Sequence, residues 1–205
     1  MKKTMLGLIA VLAMVGVFST SGFALVTEYA SGTYYNPNAT KIASHSSDLD
    51  HYSYYVWSLK DVSQPVSALN VVFHSISNWT REANWLSVCL FDLPNGAASW
   101  KEFTDNESTS KPNWTALYPT AVSLGTWSYV STTEDVVFSI TDQAALAYLS
   151  NGGNFGLGID PDCHYYNSGI TVETVPTAPV PEPMTLVLVG SGLIGAGIFR
   201  KKIQA

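Results

Sequence analysis

The strongest constraint on the fold is a repeated alternation of side-chain character along the chain. Leu69, Val71 and Phe73 alternate with Asn70, Val72 and His74, and Leu86, Val88 and Leu90 alternate with Ser87, Cys89 and Phe91. Val136, Phe138 and Ile140 keep the same period, as do Phe155, Leu157 and Ile159, then Ile170 and Val172. A period of two is that of a strand with one face turned to a core. His51 to Leu59, rich in Tyr and Trp, reads as a further strand, and Trp127 to Val130 as a short one. Turn chemistry separates them at Gln64-Pro65, Pro94-Asn95-Gly96, Lys111-Pro112-Asn113, Gly152-Gly153 and Asn167-Ser168-Gly169. One segment reads as helix, Asp142 to Leu149, capped by Thr141 or Asp142 and stopped near Gly152. About eight to ten short antiparallel strands with one helical crossover predict an all-β fold, a two-sheet sandwich of jelly-roll type with one short helix.

Both ends of the chain stand apart from this pattern. Lys2 and Lys3 precede an uncharged apolar run from Met5 to Phe18, followed by small residues up to Ala24. That order predicts a signal peptide over residues 1–24, cut by signal peptidase after Ala24; the run is short for a retained span. At the other end, Val180-Pro181-Glu182-Pro183 leads into an apolar run from Met184 to Phe199 and then Arg200-Lys201-Lys202. Sixteen helical residues reach only about 24 Å, marginal for a permanent span and suited to a transient one. Basic residues flank both runs on their outer ends, so the precursor is expected to thread as a hairpin with residues 25–180 outside. The domain plan is a signal peptide over 1–24, a sandwich over 25–175, a Pro-rich linker over 176–183, and a transmembrane sorting helix with its basic tail over 184–205.

Pro181-Glu182-Pro183, the apolar helix and the terminal basic cluster, paired with a signal peptide, resemble the PEP-CTERM sorting signal of Gram-negative bacteria. The resemblance implies that exosortase, an integral-membrane cysteine protease, reads the tail, with Pro181, Glu182 and Pro183 as the recognised motif. It also implies an exported protein of the cell surface or of an exopolysaccharide matrix. The body is similar to a β-sandwich module of many such proteins, through Ile76-Ser77-Asn78-Trp79 and the stretch from Gly156 to Asn167, which includes Gly156-Leu157-Gly158-Ile159-Asp160-Pro161-Asp162. That likeness supports the fold and brings no reaction with it.

Charge narrows the partners. Residues 25–180 hold five basic side chains against fifteen carboxylates, a balance of −10, which excludes nucleic acid as a natural partner. All six Trp and all eleven Tyr of the chain lie in this body, too aromatic for a disordered tether.

Candidate sites are few. Asp160 and Asp162 lie two residues apart after a strand ending at Ile159; they either cap the turn there or begin a structural calcium site, since hard cations take carboxylate oxygens. No resident cofactor is otherwise expected. A zinc site through Cys163 and His164 lacks further ligands at matching spacing. Cys89 and Cys163 are the only cysteines and lie in the exported portion, so they can form one disulfide if geometry allows, although Cys89 is a mid-strand residue and Cys163 a turn residue. No nucleophile elbow, zinc-protease helix or phosphate loop is present. The expected function is therefore a non-enzymatic surface or matrix component. The first alternative is a glycan-binding module using Trp79, Trp100 and Trp114, which lie in polar, loop-like contexts, with extracellular polysaccharide as partner. The second is a glycoside hydrolase drawing a carboxylate pair from Asp48, Asp50, Glu82, Asp92 and Glu134.

Overall fold

A computed structural model of the chain describes residues 24–30, 34–79, 84–105, 112–129 and 133–177. The signal peptide up to Phe23, the Pro181-Glu182-Pro183 motif and the apolar tail lie outside these residues. Among the described residues, no helix is long and apolar enough to cross a membrane.

The body is all-β. Its strands are β1 (Ala24–Ala30), β2 (Thr40–His45), β3 (Ser53–Lys60), β4 (Val66–Asn78), β5 (Asn84–Leu93), β6 (Ser99–Thr104), β7 (Val122–Tyr129), β8 (Glu134–Ile140), β9 (Asn154–Pro161), β10 (Tyr165–Tyr166) and β11 (Gly169–Pro176). One sheet runs β1-β8-β4-β11-β2, with β10 paired to the far end of β4; the other runs β6-β3-β9-β5-β7. Every pairing is antiparallel. The chain crosses repeatedly between sheets, so each sheet's apolar face closes on the other, as a jelly-roll-like sandwich requires.

The alternation read from the sequence marks this core. Leu69, Val71, Phe73, Val136, Phe138 and Ile170 come inward from the first sheet. Leu86, Val88, Leu90, Phe155, Leu157 and Ile159 meet them from the second. The helix falls where expected: among the described residues there are two short helices, α1 (Trp114–Leu117) and α2 (Gln143–Leu146), and a 3₁₀ turn continues α2 to Leu149. Asp142 caps α2 by accepting from the Ala145 N–H at 2.9 Å, and Ala145, Leu146 and Leu149 are buried against the core.

Several details differ from the sequence reading, for physical reasons. The short strand placed at Trp127–Val130 is the end of the longer β7, whose first half, Val122 to Gly125, offers one short alternation of Val122 and Leu124 before Gly125 interrupts it. β6 gives no alternation to read, because its Ser-Trp-Lys-Glu-Phe-Thr sequence is mostly polar; among the described residues it is an edge strand, paired with β3. α1 stands where Lys111-Pro112-Asn113 suggests a loop by its turn chemistry; Asn113 caps it, accepting from the Ala116 N–H at 3.1 Å.

β9 is buried along its whole length, which a strand with one open face would not be. Phe155, Leu157 and Ile159 point into the sandwich, leaving Gly156, Gly158 and Asp160 on the outer face. There Val56, Cys89 and Phe91 form a second cluster, covered by Tyr54, Trp114 and Tyr118. A side chain at Gly156 would collide with the Phe91 ring, and one at Gly158 would come within 2.6 Å of both Cys89 Sγ and the Trp114 ring. Gly158 thus lets Trp114 of α1 seat directly on the strand, and Gly156 lets the Phe91 ring of β5 lie across it. Removing a ring the size of Phe91 from water contributes about 1.5–3 kcal/mol.

β4 runs the length of the first sheet. Its first residue, Val66, pairs with Pro176, the last residue of β11, and the Thr177 N–H donates to Pro65 O at 3.3 Å, so the chain leaves the sandwich beside the start of β4. At its other end Ser77 and Asn78 pair with Tyr166 and Tyr165.

Candidate functional site

The far end of β4 is shaped by a break in its ladder. The register with β8 shifts between Phe73 and Ile76. Ser75 there takes a left-handed conformation, φ 50°, which costs a non-glycine residue energy unless its surroundings hold it. The buried Asp135 carboxylate holds it, Oδ1 accepting from the Ser75 N–H at 2.8 Å. Beyond this bulge Ile76 still pairs with Glu134 of β8, while on the other edge of β4 β10 continues the register of β11 as far as Asn78.

β10 is only two residues long, but its alternation is decisive. Tyr165 is fully buried and packs against Trp127, ring centroids 5.6 Å apart. Its neighbours His164 and Tyr166 therefore face outward. The Trp79 N–H donates to His164 O at 3.0 Å, which extends the pairing one step and fixes Trp79 beside them. Trp79 is 65% exposed and Tyr166 44%. Their rings are close to parallel, 14° between planes with centroids 6.3 Å apart, an offset that leaves ring face uncovered. His164 stands edge-on to both, at 5.5 Å from Trp79 and 4.8 Å from Tyr166.

A distant loop completes this surface. Leu49 and Tyr165 exchange both backbone hydrogen bonds, at 3.0 and 2.8 Å, and this bridge brings Asp50 next to His164. Asp50 Oδ2 lies 4.0 Å from His164 Nδ1, and Oδ1 lies 3.3 Å from His51 Nδ1 and accepts from the Tyr52 N–H at 3.0 Å. The Asp50 N–H donates to the Tyr55 hydroxyl at 2.9 Å, and burial pushes that phenol above its ordinary range, so it stays neutral. The His51 ring lies 3.9 Å from that of Tyr52, which is 60% exposed. A continuous strip of contacts thus runs from Trp79 and Tyr166 through His164, Asp50 and His51 to Tyr52.

Of the three tryptophans singled out in the sequence, only Trp79 is exposed. Trp100 lies in β6, not a loop; it is half-buried, stacked on His45 at 3.9 Å and edge-on to Trp57. Trp114 opens α1 and packs over Gly158 and Cys89. The three do not form one surface. Asp160 is not in a turn: β9 continues to Pro161, and Asp160 is a buried strand residue opposite Ser87. Asp162 is in the turn that follows, its N–H donating to Trp85 O at 2.8 Å. Among the described residues no group of three or more His, Cys, Asp or Glu side chains is placed to hold a metal ion. Cys89 and Cys163 are both buried thiols and are not joined to each other. Cys89 belongs to the outer cluster and Cys163 to the core between the sheets, on opposite sides of the second sheet. Of the carboxylates gathered for hydrolysis, Glu82 lies outside the described residues, Glu134 begins β8, Asp92 lies on β5, and Asp50 belongs to the aromatic strip.

One further arrangement escaped the sequence reading. His74 Nε2 lies 2.9 Å from Thr171 Oγ1, and its Nδ1 lies 3.6 Å from Asp135 Oδ2. Acid, imidazole and hydroxyl stand in the order that activates a nucleophile. Thr171, however, is in mid-strand between β4 and β2, where the ladders on both sides use the backbone N–H groups that would have to face a developing oxyanion. These contacts hold the polar face of a sheet.

Outside the described residues the sequence itself decides the matter of the tail. Residues 179–202 match the family model of the PEP-CTERM protein-sorting motif. The chain carries a PEP-CTERM sorting motif. Pro181, Glu182 and Pro183 fall inside the match, as do the apolar run and the basic residues to Lys202. The PEP-CTERM motif implies exosortase as the processing partner and supports export with sorting to the cell surface. No curated protein matches the chain.

Proposed function

We propose that the protein is a non-enzymatic component of the cell surface or extracellular matrix of a Gram-negative bacterium, delivered there by its two terminal signals. Signal peptidase cuts after Ala24, the precursor inserts its apolar tail in the membrane, and exosortase processes the tail at Pro181-Glu182-Pro183. The observation that carries this reading is the PEP-CTERM match over residues 179–202, which starts three residues after β11 and its exit at Pro176. Processing there leaves every described pairing of the sandwich in place. At the other end Ala24 is the first residue of β1, opposite Ile140, and a chain beginning at Leu25 keeps every other pairing of that strand.

The test is mass spectrometry of the mature protein recovered from a host with its exosortase and from the same host lacking it. A mature form starting at Leu25 and ending near residues 181–183, with the tail retained in the second host, is expected. An intact terminus at Ala205 in the exosortase-bearing host overturns the reading.

A further inference from the structure

We propose that the strip formed by Trp79, Tyr166, His164 and Asp50, continued by Tyr52, is a binding site for a neutral polysaccharide. The proposal does not depend on how the tail is processed.

The chemistry of the strip carries the choice of ligand. A pyranose presents C–H bonds on its ring faces and hydroxyls around its rim. An aromatic face with a hydrogen-bonding group at its edge complements both. Trp79 and Tyr166 supply two nearly parallel exposed rings, and Asp50 with His164 supplies the edge. Asp50 Oδ1 is engaged by the Tyr52 N–H and His51, whereas the 4.0 Å approach of His164 to Oδ2 is longer than a hydrogen bond, so Oδ2 can accept sugar hydroxyls.

Single exposed aromatics are ordinary on protein surfaces. Three on one strip, at 65%, 44% and 60% exposure, with an exposed carboxylate between them, form a patch with a purpose. The rings are also already in place. Trp79 and Tyr166 are fixed by backbone pairing across the end of β4, and His164 wedges edge-on against both, so little side-chain freedom is lost on binding.

Charge selects among glycans. The body carries −10, the site contains a carboxylate, and none of its members is Lys or Arg, so a uronate or sulfated chain would be repelled. Length selects a polymer. Tyr52 joins the strip at Asp50, through its own N–H and through His51, and offers a second aromatic contact for another sugar of the same chain.

The test is affinity electrophoresis of the full chain, purified in mild detergent, through gels containing hydroxyethylcellulose, galactomannan, dextran or alginate. The wild type is expected to be retarded by at least one of the three neutral polymers and not by alginate. Trp79→Ala and Tyr166→Ala should each weaken retardation by about tenfold or more, as loss of a central aromatic contact does. Trp79→Phe should recover most of it, and Trp114→Phe, on the outer face of the second sheet away from the strip, should leave it unchanged. Thermal unfolding midpoints of the Trp79 and Tyr166 variants should match the wild type, since both side chains are exposed. Free migration in all three neutral polymers overturns the proposal, as does retardation by alginate alone or retardation that survives both alanine substitutions. A failure of tail processing in the mass spectrometry above leaves these outcomes unaffected.

Discussion

Phe91 lies flat against Tyr118, ring centroids 3.9 Å apart and planes 5° from parallel, on the outer face of the second sheet. The stack occupies space left by Gly156, and Trp114 continues it over Gly158. An outer face of this kind behaves as core. Gly156→Ala should therefore act as an overpacking substitution, lowering stability by about 1–3 kcal/mol with the strand itself unchanged. Chemical denaturation of the two forms measures this, and a loss below a few tenths of a kcal/mol would mean that the Phe91 ring does not lie over Gly156.

Cys89 lies under the same rings. Burial, with the Asp160 carboxylate adding to it, pushes its thiol far above the ordinary range, so thiolate is essentially absent near neutral pH. In a Cys163→Ser background Cys89 should resist a disulfide-exchange reagent in the native protein and react fully once unfolded. Native labelling at the rate of an exposed thiol would contradict this placement. Non-reducing mass analysis of the wild type should likewise return two thiols, in keeping with their separation to opposite sides of the sheet.

His45 stacks on Trp100, and burial lowers its pKa below the usual 6.5. The sign follows from linkage. Below pH 6.5 the unfolded chain binds a proton at this position more readily than the folded one, so stability falls as pH drops through that value and levels off once the folded histidine also protonates. His45→Gln should remove this part of the acid-side decline while leaving stability above pH 7 governed by packing alone. Parallel pH profiles of unfolding for the two proteins check it, and superimposable acid limbs would refute it.

Asp135 accepts the Ser75 N–H at the bulge of β4. Asp135→Ala leaves that donor without its acceptor and the left-handed Ser75 without its restraint, at a cost of about 1–3 kcal/mol. Amide exchange should accelerate at Ser77 and Asn78, which pair with β10, more than at Leu69 and Val71 near the other end of the strand. Uniform acceleration along β4 would show that the bulge does not anchor its end.

Asp160 and Asp162 are separated by the end of β9, one buried in the strand and the other in the turn after it. Excess chelator is therefore expected to leave the unfolding midpoint where it was in calcium. A calcium-dependent rise that disappears in the double Asp160→Asn, Asp162→Asn variant would return a structural ion to this turn.

Much of this architecture can be read from side-chain period. Leu86-Val88-Leu90 and Phe155-Leu157-Ile159 announce their strands because one face is apolar. Thr40 to His45 and Ser99 to Thr104 do not, since edge strands with exposed faces carry little alternation. The aromatic strip was legible only in pieces. Trp79 stood out as a polar-context tryptophan, but Asp50 and His164 are 114 residues apart and meet through the Leu49–Tyr165 bridge, a long-range pairing that no local spacing encodes. Asp160 reads as a turn residue because Pro161 and Asp162 look like a turn, while the strand runs on to Pro161.

β4 also sets a direction. Its thirteen residues join the exit of the chain, beside Val66, to the Trp79 end, a reach of roughly 40 Å at strand rise. Whatever grips the chain beyond Pro176 thus holds the body by one pole and leaves the aromatic strip at the opposite one. Stand-off from the point of attachment is built into a single central strand and needs no flexible stalk to achieve it.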